Sequence, residues 1–132
     1  MPAATADLLS SYKPLAPGAR ALRVSQDRLE EKGFIRQLGI PVAPFAQVDS
    51  LQDLEIAIAE IGTPAILKTR RLGYDGKGQA VITNPGDAAS AWQAIGAAPA
   101  ILEGFVNFDR EISVIAARNR DGVVAAWDPG EN

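Results

Sequence analysis

Apolar residues recur along this chain in blocks whose spacing changes, and the changes mark the elements. From Ser25 the pattern predicts a helix, with Ser25 as N-cap, Leu29, Phe34, Ile35 and Leu38 as its apolar side, and Gly39 as its end. Ile40-Pro41-Val42-Ala43-Pro44-Phe45 reads as extended, because each proline disfavours the helical region for the residue before it. Ser50, with Asp53 three residues on, caps a second helix whose Leu51, Leu54, Ile58 and Ile61 repeat at helical spacing until Gly62-Thr63-Pro64. Ala65-Ile66-Leu67 is a short apolar run, consistent with a buried strand leading into Lys68, and Gln79-Ala80-Val81-Ile82 reads as another strand. Asn84-Pro85 starts a third helix with Ala88, Ala91, Trp92 and Ile95 as its buried stripe. Ala100 to Glu103 reads as a strand, and Glu111 to Arg118 with Val123 to Trp127 as a hairpin across Asn119-Arg120-Asp121-Gly122.

Residues 1–22 read as a linker or remnant, with helical turns in Ala3 to Leu9 before Lys13-Pro14-Leu15-Ala16-Pro17-Gly18 breaks them. Residues 23–132 form the folded unit. Helices and strands alternate and then two strands pair directly, which predicts an α+β fold: a small mixed or antiparallel sheet with helices on one face.

Composition narrows the chemistry. The 132 residues are 47% apolar with a net charge of −3, the profile of one soluble globular domain without a basic footprint for nucleic acid or anionic lipid. No apolar run approaches a membrane span, and Met1-Pro2-Ala3-Ala4 lacks a charged leader start, so a cytoplasmic protein is expected. There is no cysteine and no histidine, which removes disulfides, thiol nucleophiles, Cys or His metal sites and imidazole bases. What remains is carboxylates, Lys, Arg, Tyr and backbone amides, a set suited to binding and polarising phosphates.

Lys68 stands at the end of a strand, five residues before the run Gly73-Tyr74-Asp75-Gly76-Lys77-Gly78. Three glycines let backbone N–H groups approach an anion, and Lys68, Arg70, Arg71 and Lys77 place four cations around it, as a polyphosphate requires. The spacing fits neither the P-loop nor the dinucleotide fingerprint. The alternative reading is a hairpin tip flanked by solvated charges. Glu103, followed by Gly104-Phe105-Val106, and Glu111 form a second candidate, an adenine slot with a ribose clamp, although strand-end glutamates are most often merely solvated. Asp27-Arg28 equally reads as a charged first helical turn.

The runs Ser25-Gln26-Asp27-Arg28-Leu29-Glu30-Glu31-Lys32, Gly73-Tyr74-Asp75-Gly76-Lys77-Gly78-Gln79 and Leu102-Glu103-Gly104-Phe105-Val106 resemble the ATP-grasp region of 5-(carboxyamino)imidazole ribonucleotide synthases, and Ile112-Ser113-Val114-Ile115-Ala116-Ala117-Arg118 resembles their following strand. The resemblance extends from about residue 12 to 126. It implies a ligase of de novo purine synthesis that uses ATP and bicarbonate, through carboxyphosphate, to carboxylate 5-aminoimidazole ribonucleotide. It further implies that Arg28 and Lys68 contact the ATP phosphates and that Gly73 to Gln79 folds over them. Glu103, Gly104, Phe105 and Val106 would hold the adenine and Glu111 the ribose, while Tyr74, Asp75 and Lys77 would join Lys68 on the catalytic side.

Members of that family also have a preceding Rossmann-like domain and a following ATP-grasp lobe that supplies the acidic Mg²⁺ ligands. The present residues are therefore expected to be the nucleotide-clamping subdomain, with no metal ligands of their own and no turnover in isolation, from a protein that is a homodimer at full length. Alternatives are another ATP-grasp ligase, like glycinamide ribonucleotide transformylase or biotin carboxylase, or a non-catalytic nucleotide-binding module; Tyr74-Asp75 argues against the two other ligases. Lys68 and Glu111 are expected on the same side of a small sheet, residues 71–78 poorly ordered without nucleotide, and apolar area exposed for association.

Overall fold

The computed structural model describes residues 1–71 and 78–132. Two short helices occupy the stretch read as a linker, α1 (Ala3–Ser10) and α2 (Ala19–Ser25), and they pack on each other around the buried Ala6. Asp7 accepts a bidentate ion pair from Arg23 at 2.8 and 3.0 Å. Both partners are exposed, so that pair adds little.

The next helix, α3 (Arg28–Gln37), begins later than the pattern predicts. Ser25 closes α2, its Oγ turned back to the Leu22 carbonyl at 3.4 Å, and so it cannot cap α3. Asp27 is the N-cap instead, accepting from the Leu29 amide at 3.1 Å and the Glu30 amide at 3.5 Å. The chain then runs through β1 (Phe45–Val48), α4 (Leu51–Ile61), β2 (Ala65–Thr69) and β3 (Gln79–Ile82) to α5 (Ala88–Ala94) and β4 (Ala100–Gly104). Helix α4 is capped as its sequence requires: Ser50 Oγ accepts from the Asp53 amide at 3.1 Å, and Asp53 accepts from the Asp49 amide at 3.1 Å. Gly62 ends it at φ +88°, a conformation that other residues avoid. Asn84-Pro85 opens a short 3₁₀ turn (Pro85–Asp87) rather than α5 itself, with the Asn84 amide donating to the Asp87 carboxylate at 3.1 Å.

Strands β1, β4, β2 and β3 lie side by side in that order, every neighbour antiparallel. Successive side chains on a strand point to opposite faces, and the register sorts them cleanly. One face carries Ala46, Val48, Ala65, Leu67, Ala80, Ile82, Ala100 and Leu102, which pack with Leu54, Ala57 and Ile58 of α4 and Ala88, Ala91, Trp92 and Ile95 near α5. The other face carries Phe45 and Gln47, Ile101 and Glu103, Ile66 and Lys68, and Gln79 and Val81. Each large side chain buried on the first face contributes about 1.5–3 kcal/mol, which makes that face the core. The second face carries the charges.

Helix α3 belongs to this second face. Arg28, Lys32 and Arg36 recur every four residues and so share one side of the helix. Arg28 Nη1 donates to the Thr69 carbonyl at the end of β2 (2.7 Å), Lys32 pairs with Glu103 on β4 (3.1 Å), and the Arg36 guanidinium sits 4.7 Å from the Phe45 ring centre on β1. One basic stripe thus crosses three adjacent strands in their spatial order.

After Gly104 the chain leaves the sheet. A Cβ at Gly104 would lie 3.2 Å from Ile61 Cγ2 and 3.5 Å from Pro44 Cδ, so the exit is tight enough to favour glycine. The predicted hairpin is present as β6 (Ala116–Arg118) against β7 (Val124–Ala126), while its first strand is broken, with β5 (Ile112–Ser113) pairing with β8 (Gly130–Glu131). Phe105, Val106, Phe108, Ile112, Val114, Ile115, Val123, Val124 and Trp127 are all exposed along this stretch. Glu111 belongs to it, so Lys68 and Glu111 do not share a sheet as expected, because six residues outside any strand, 105–110, separate β4 from Glu111.

For the isolated chain, Leu102→Ala empties the centre of the core face and should cost about 2–5 kcal/mol, read from the urea midpoint. The uncovered apolar stretch from 105 to 127 should drive association as concentration rises, and sedimentation that stays monomeric near millimolar protein would contradict this.

Candidate functional site

Two carboxylates organise the charged face, and both are buried. Glu103 is 6% exposed, and its Oε2 accepts a hydrogen bond from Lys68 Nζ at 3.1 Å and an ion pair from Lys32 Nζ at 3.1 Å. Register explains the meeting: Ile66 stands opposite Glu103 and Lys68 opposite Ile101, so Lys68 reaches Glu103 diagonally across β2 and β4. Ile66 and Ile101 therefore flank the pair. Two ammonium groups on one carboxylate leave this spot with one excess positive charge.

The second carboxylate is Asp27, 1% exposed. Besides capping α3 it accepts Arg70 through Nε at 3.0 Å and Nη2 at 2.8 Å, and Arg71 through Nε at 3.0 Å. Burial works to raise its pKa, but hydrogen bonds from Arg70 and Arg71, the Arg70 charge and the Leu29 amide outweigh burial and hold the carboxyl below its ordinary value. The same contact with Asp27 holds the Arg70 guanidinium above its ordinary value, against the opposing effect of its own burial. The Arg28 amide donates to the Arg70 carbonyl at 3.0 Å, and a cleft of about 350 Å³ lined by Asp27, Thr69, Arg70, Arg71, Ala98 and Pro99 opens beside this joint.

This geometry revises the cation count around the glycine-rich run. Arg70 and Arg71 are engaged by Asp27, so they serve the joint between α3 and β2 rather than standing as free phosphate ligands. Arg28 lies at the same end of β2 as Lys68. Gly78 and Gln79 close the run: the Gly78 carbonyl accepts from the Thr69 amide at 2.8 Å and Gln79 pairs with Lys68. Gly73, Tyr74, Asp75, Gly76 and Lys77 lie outside the described residues, as does most of the 71–78 segment expected to be poorly ordered. Gly104, Phe105 and Val106 come directly after Glu103, with the Phe105 amide donating to the Pro64 carbonyl at 3.2 Å and both apolar side chains exposed. Glu111 is apart from this cluster in sequence and sheet, its carboxylate accepting from the Asn132 amide group at 3.3 Å.

Sequence reasoning misses Lys32 and the burial of Asp27. The four-residue spacing from Arg28 to Lys32 is the available signal for the first. Nothing local to residue 27 announces a partner some forty positions away. Among the described residues no group of three or more His, Cys, Asp or Glu side chains converges to hold a metal ion.

A family model described as the ATP-grasp domain matches residues 33–132. The chain belongs to the ATP-grasp family. Among curated relatives, the N5-carboxyaminoimidazole ribonucleotide synthase of Pseudomonas aeruginosa is 51% identical over 122 residues, covering 92% of this chain and 34% of that protein. The corresponding Brucella melitensis synthase is 48% identical over 134 residues, covering 100% of this chain and 37% of its own length. The crystal structure of the Staphylococcus aureus synthetase complexed with ADP superposes with a TM-score of 0.93 at 32% identity, covering 100% of this chain and 35% of that one. The ATP-grasp chain thus spans about a third of the length of the relatives it matches.

The Asp27 joint gives a pH signature. A carboxyl held low in the folded state contributes stability that is complete above its unfolded pKa, about 3.9, and is lost as pH falls through the lower folded value. Asp27→Asn should cost about 3 kcal/mol at neutral pH, since it leaves Arg70 and Arg71 unpaired beside a weakened cap. It should also flatten the fall in stability below about pH 4, measured as urea midpoints across pH.

Proposed function

We propose that this chain is the nucleotide-holding part of a 5-(carboxyamino)imidazole ribonucleotide synthase. The observation that carries the reading is the Lys68–Glu103 pair on the two central strands, just before the chain leaves β4 at Gly104 and runs on through Phe105-Val106. Identities of 51% and 48% to synthases, spread over nearly the whole chain, support it.

In this reading the purine base lies along Glu103 to Val106, while Lys68 and Arg28 meet the phosphates and Glu111 takes the ribose hydroxyls. Gly73, Tyr74, Asp75, Gly76, Lys77, Gly78 and Gln79 cover the phosphates, with Tyr74, Asp75 and Lys77 facing the other substrates. Bicarbonate oxygen attacks the γ-phosphorus and the bond to the β-phosphate oxygen breaks, giving carboxyphosphate and ADP. The amine of 5-aminoimidazole ribonucleotide then attacks the carboxyl carbon, phosphate leaves, and the amine proton is lost. Phosphoryl transfer of this kind needs positioning and charge neutralisation more than covalent help, which a chain without His or Cys can provide. No group of three acidic side chains among the described residues could hold Mg²⁺, and in this reading its ligands come from other residues of the intact enzyme. No helix among the described residues is long and apolar enough to cross a membrane. On the synthase reading, rather than on that absence, we expect the intact enzyme to be a cytoplasmic homodimer.

The test is ADP release by the intact protein with ATP, bicarbonate and the aminoimidazole ribonucleotide. Lys68→Ala should lower turnover on the order of 10²-fold or more, as loss of one preorganised donor to the transferring group does. ADP release that is independent of the ribonucleotide would reject the assignment.

A further inference from the structure

Glu103 is a buried carboxylate shared by two lysines from different elements, Lys32 of α3 and Lys68 of β2. Both lysines meet the same oxygen, Oε2, and Oε1 has no hydrogen-bond partner among the described residues. The lysines differ in what else they could do. Lys68 stands on β2 beside Gln79, at the mouth of the glycine-rich run, whereas Lys32 is fixed on α3 between Arg28 and Arg36, which anchor that helix to β2 and β1. Each lysine side chain is 23% exposed, so either has some room to move.

If Lys68 turned toward an anion and Glu103 had no other partner, a buried carboxylate would be stranded, and that penalty would be subtracted from the affinity for the anion. With Lys32 in place the carboxylate stays neutralised on a rigid element. We propose that Lys32 is a positioning residue for nucleotide binding: it holds Glu103 so that Lys68 can leave that carboxylate for a phosphate. This rests on the proposed nucleotide-holding function and goes beyond it by assigning a role to a residue that touches neither base nor phosphate.

The consequence is a thermodynamic coupling between Lys32 and Glu103 that emerges only when phosphate binds. In calorimetric titration of the intact protein, Lys32→Met should weaken ATP about tenfold, a change readily measured as a shift in dissociation constant. Adenosine has no phosphate to draw Lys68 away, so its affinity, measured by competition, should stay within about twofold. Lys32→Arg should restore most of the ATP affinity, because the guanidinium keeps the charge. In a Glu103→Gln background the neutral amide no longer retains Lys68, and adding Lys32→Met should cost less than about twofold relative to that background. If the Met variant does not fold by circular dichroism, Lys32→Gln replaces it with the same expectations.

An equal loss for ATP and adenosine would mean that Lys32 merely shapes the base slot, and it overturns the proposal. An equal ATP loss in the two backgrounds would mean that Lys32 contacts phosphate itself, and it does the same. Unchanged ATP affinity in Lys32→Met overturns the proposal while leaving the nucleotide reading intact. Absence of ATP binding by the unaltered protein removes both.

Discussion

A buried carboxylate, Asp27, sets the frame on which the site is built. It caps α3 through the Leu29 and Glu30 amides and clamps Arg70 and Arg71 just past the end of β2. A charge so removed from water is tolerated only when it is paired and hydrogen-bonded, so the carboxylate and its two guanidiniums act as one unit. The start of the helix is thereby tied to the end of a strand. With that end fixed, the four-residue repeat of α3 decides the rest: Lys32 falls over β4 and Arg36 over β1. The joint at residue 27 thus adds to the contacts of Arg28, Lys32 and Arg36 in fixing the basic stripe over the sheet.

The sheet answers with its own period. Alternation along β2 gives Leu67 to the core and Lys68 to the open face, and along β4 it gives Leu102 to the core and Glu103 to the open face. A slip of one residue in either strand would bury a charge among Leu54, Ile58 and Trp92. The hydrophobic core thus holds the charged pair in register, which is a firmer constraint than the pair could impose on itself. Core stability and site geometry are two readings of the same pairing.

Much of this is legible in the sequence, for physical reasons that differ by element. The strands around Lys68 and Glu103 announce themselves because their apolar neighbours are local, and Ser50 to Ile61 carries both its cap and its period. Ser25 misleads because Ser and Asp are both good caps, and the choice between them is made by where α2 ends and by Arg70, a partner far along the chain. The four cations around the glycine-rich run are a local sum. Folding removes Arg70 and Arg71 from it because Asp27 arrives from elsewhere. Proximity to Glu103 in sequence suggests a place for Glu111 beside Lys68, yet the chain abandons the sheet at Gly104, where Ile61 and Pro44 press close. The recurring lesson is that periodicity is local, whereas ion pairing is not.

Two buried carboxylates each hold two cations, Asp27 the guanidiniums of the joint and Glu103 the ammonium groups of Lys32 and Lys68. At Glu103 both cations are compact ammonium groups on a single oxygen, so they repel each other while both are attracted to the carboxylate. Beside Ile66 and Ile101, which lower the local polarity, that repulsion is felt more strongly than it would be in open solvent. In the proposed reading, an arriving phosphate takes up part of the excess positive charge at Glu103. In that reading the lysine that moves is Lys68, because Lys32 sits on α3 between Arg28 and Arg36, which tie the helix to β2 and β1.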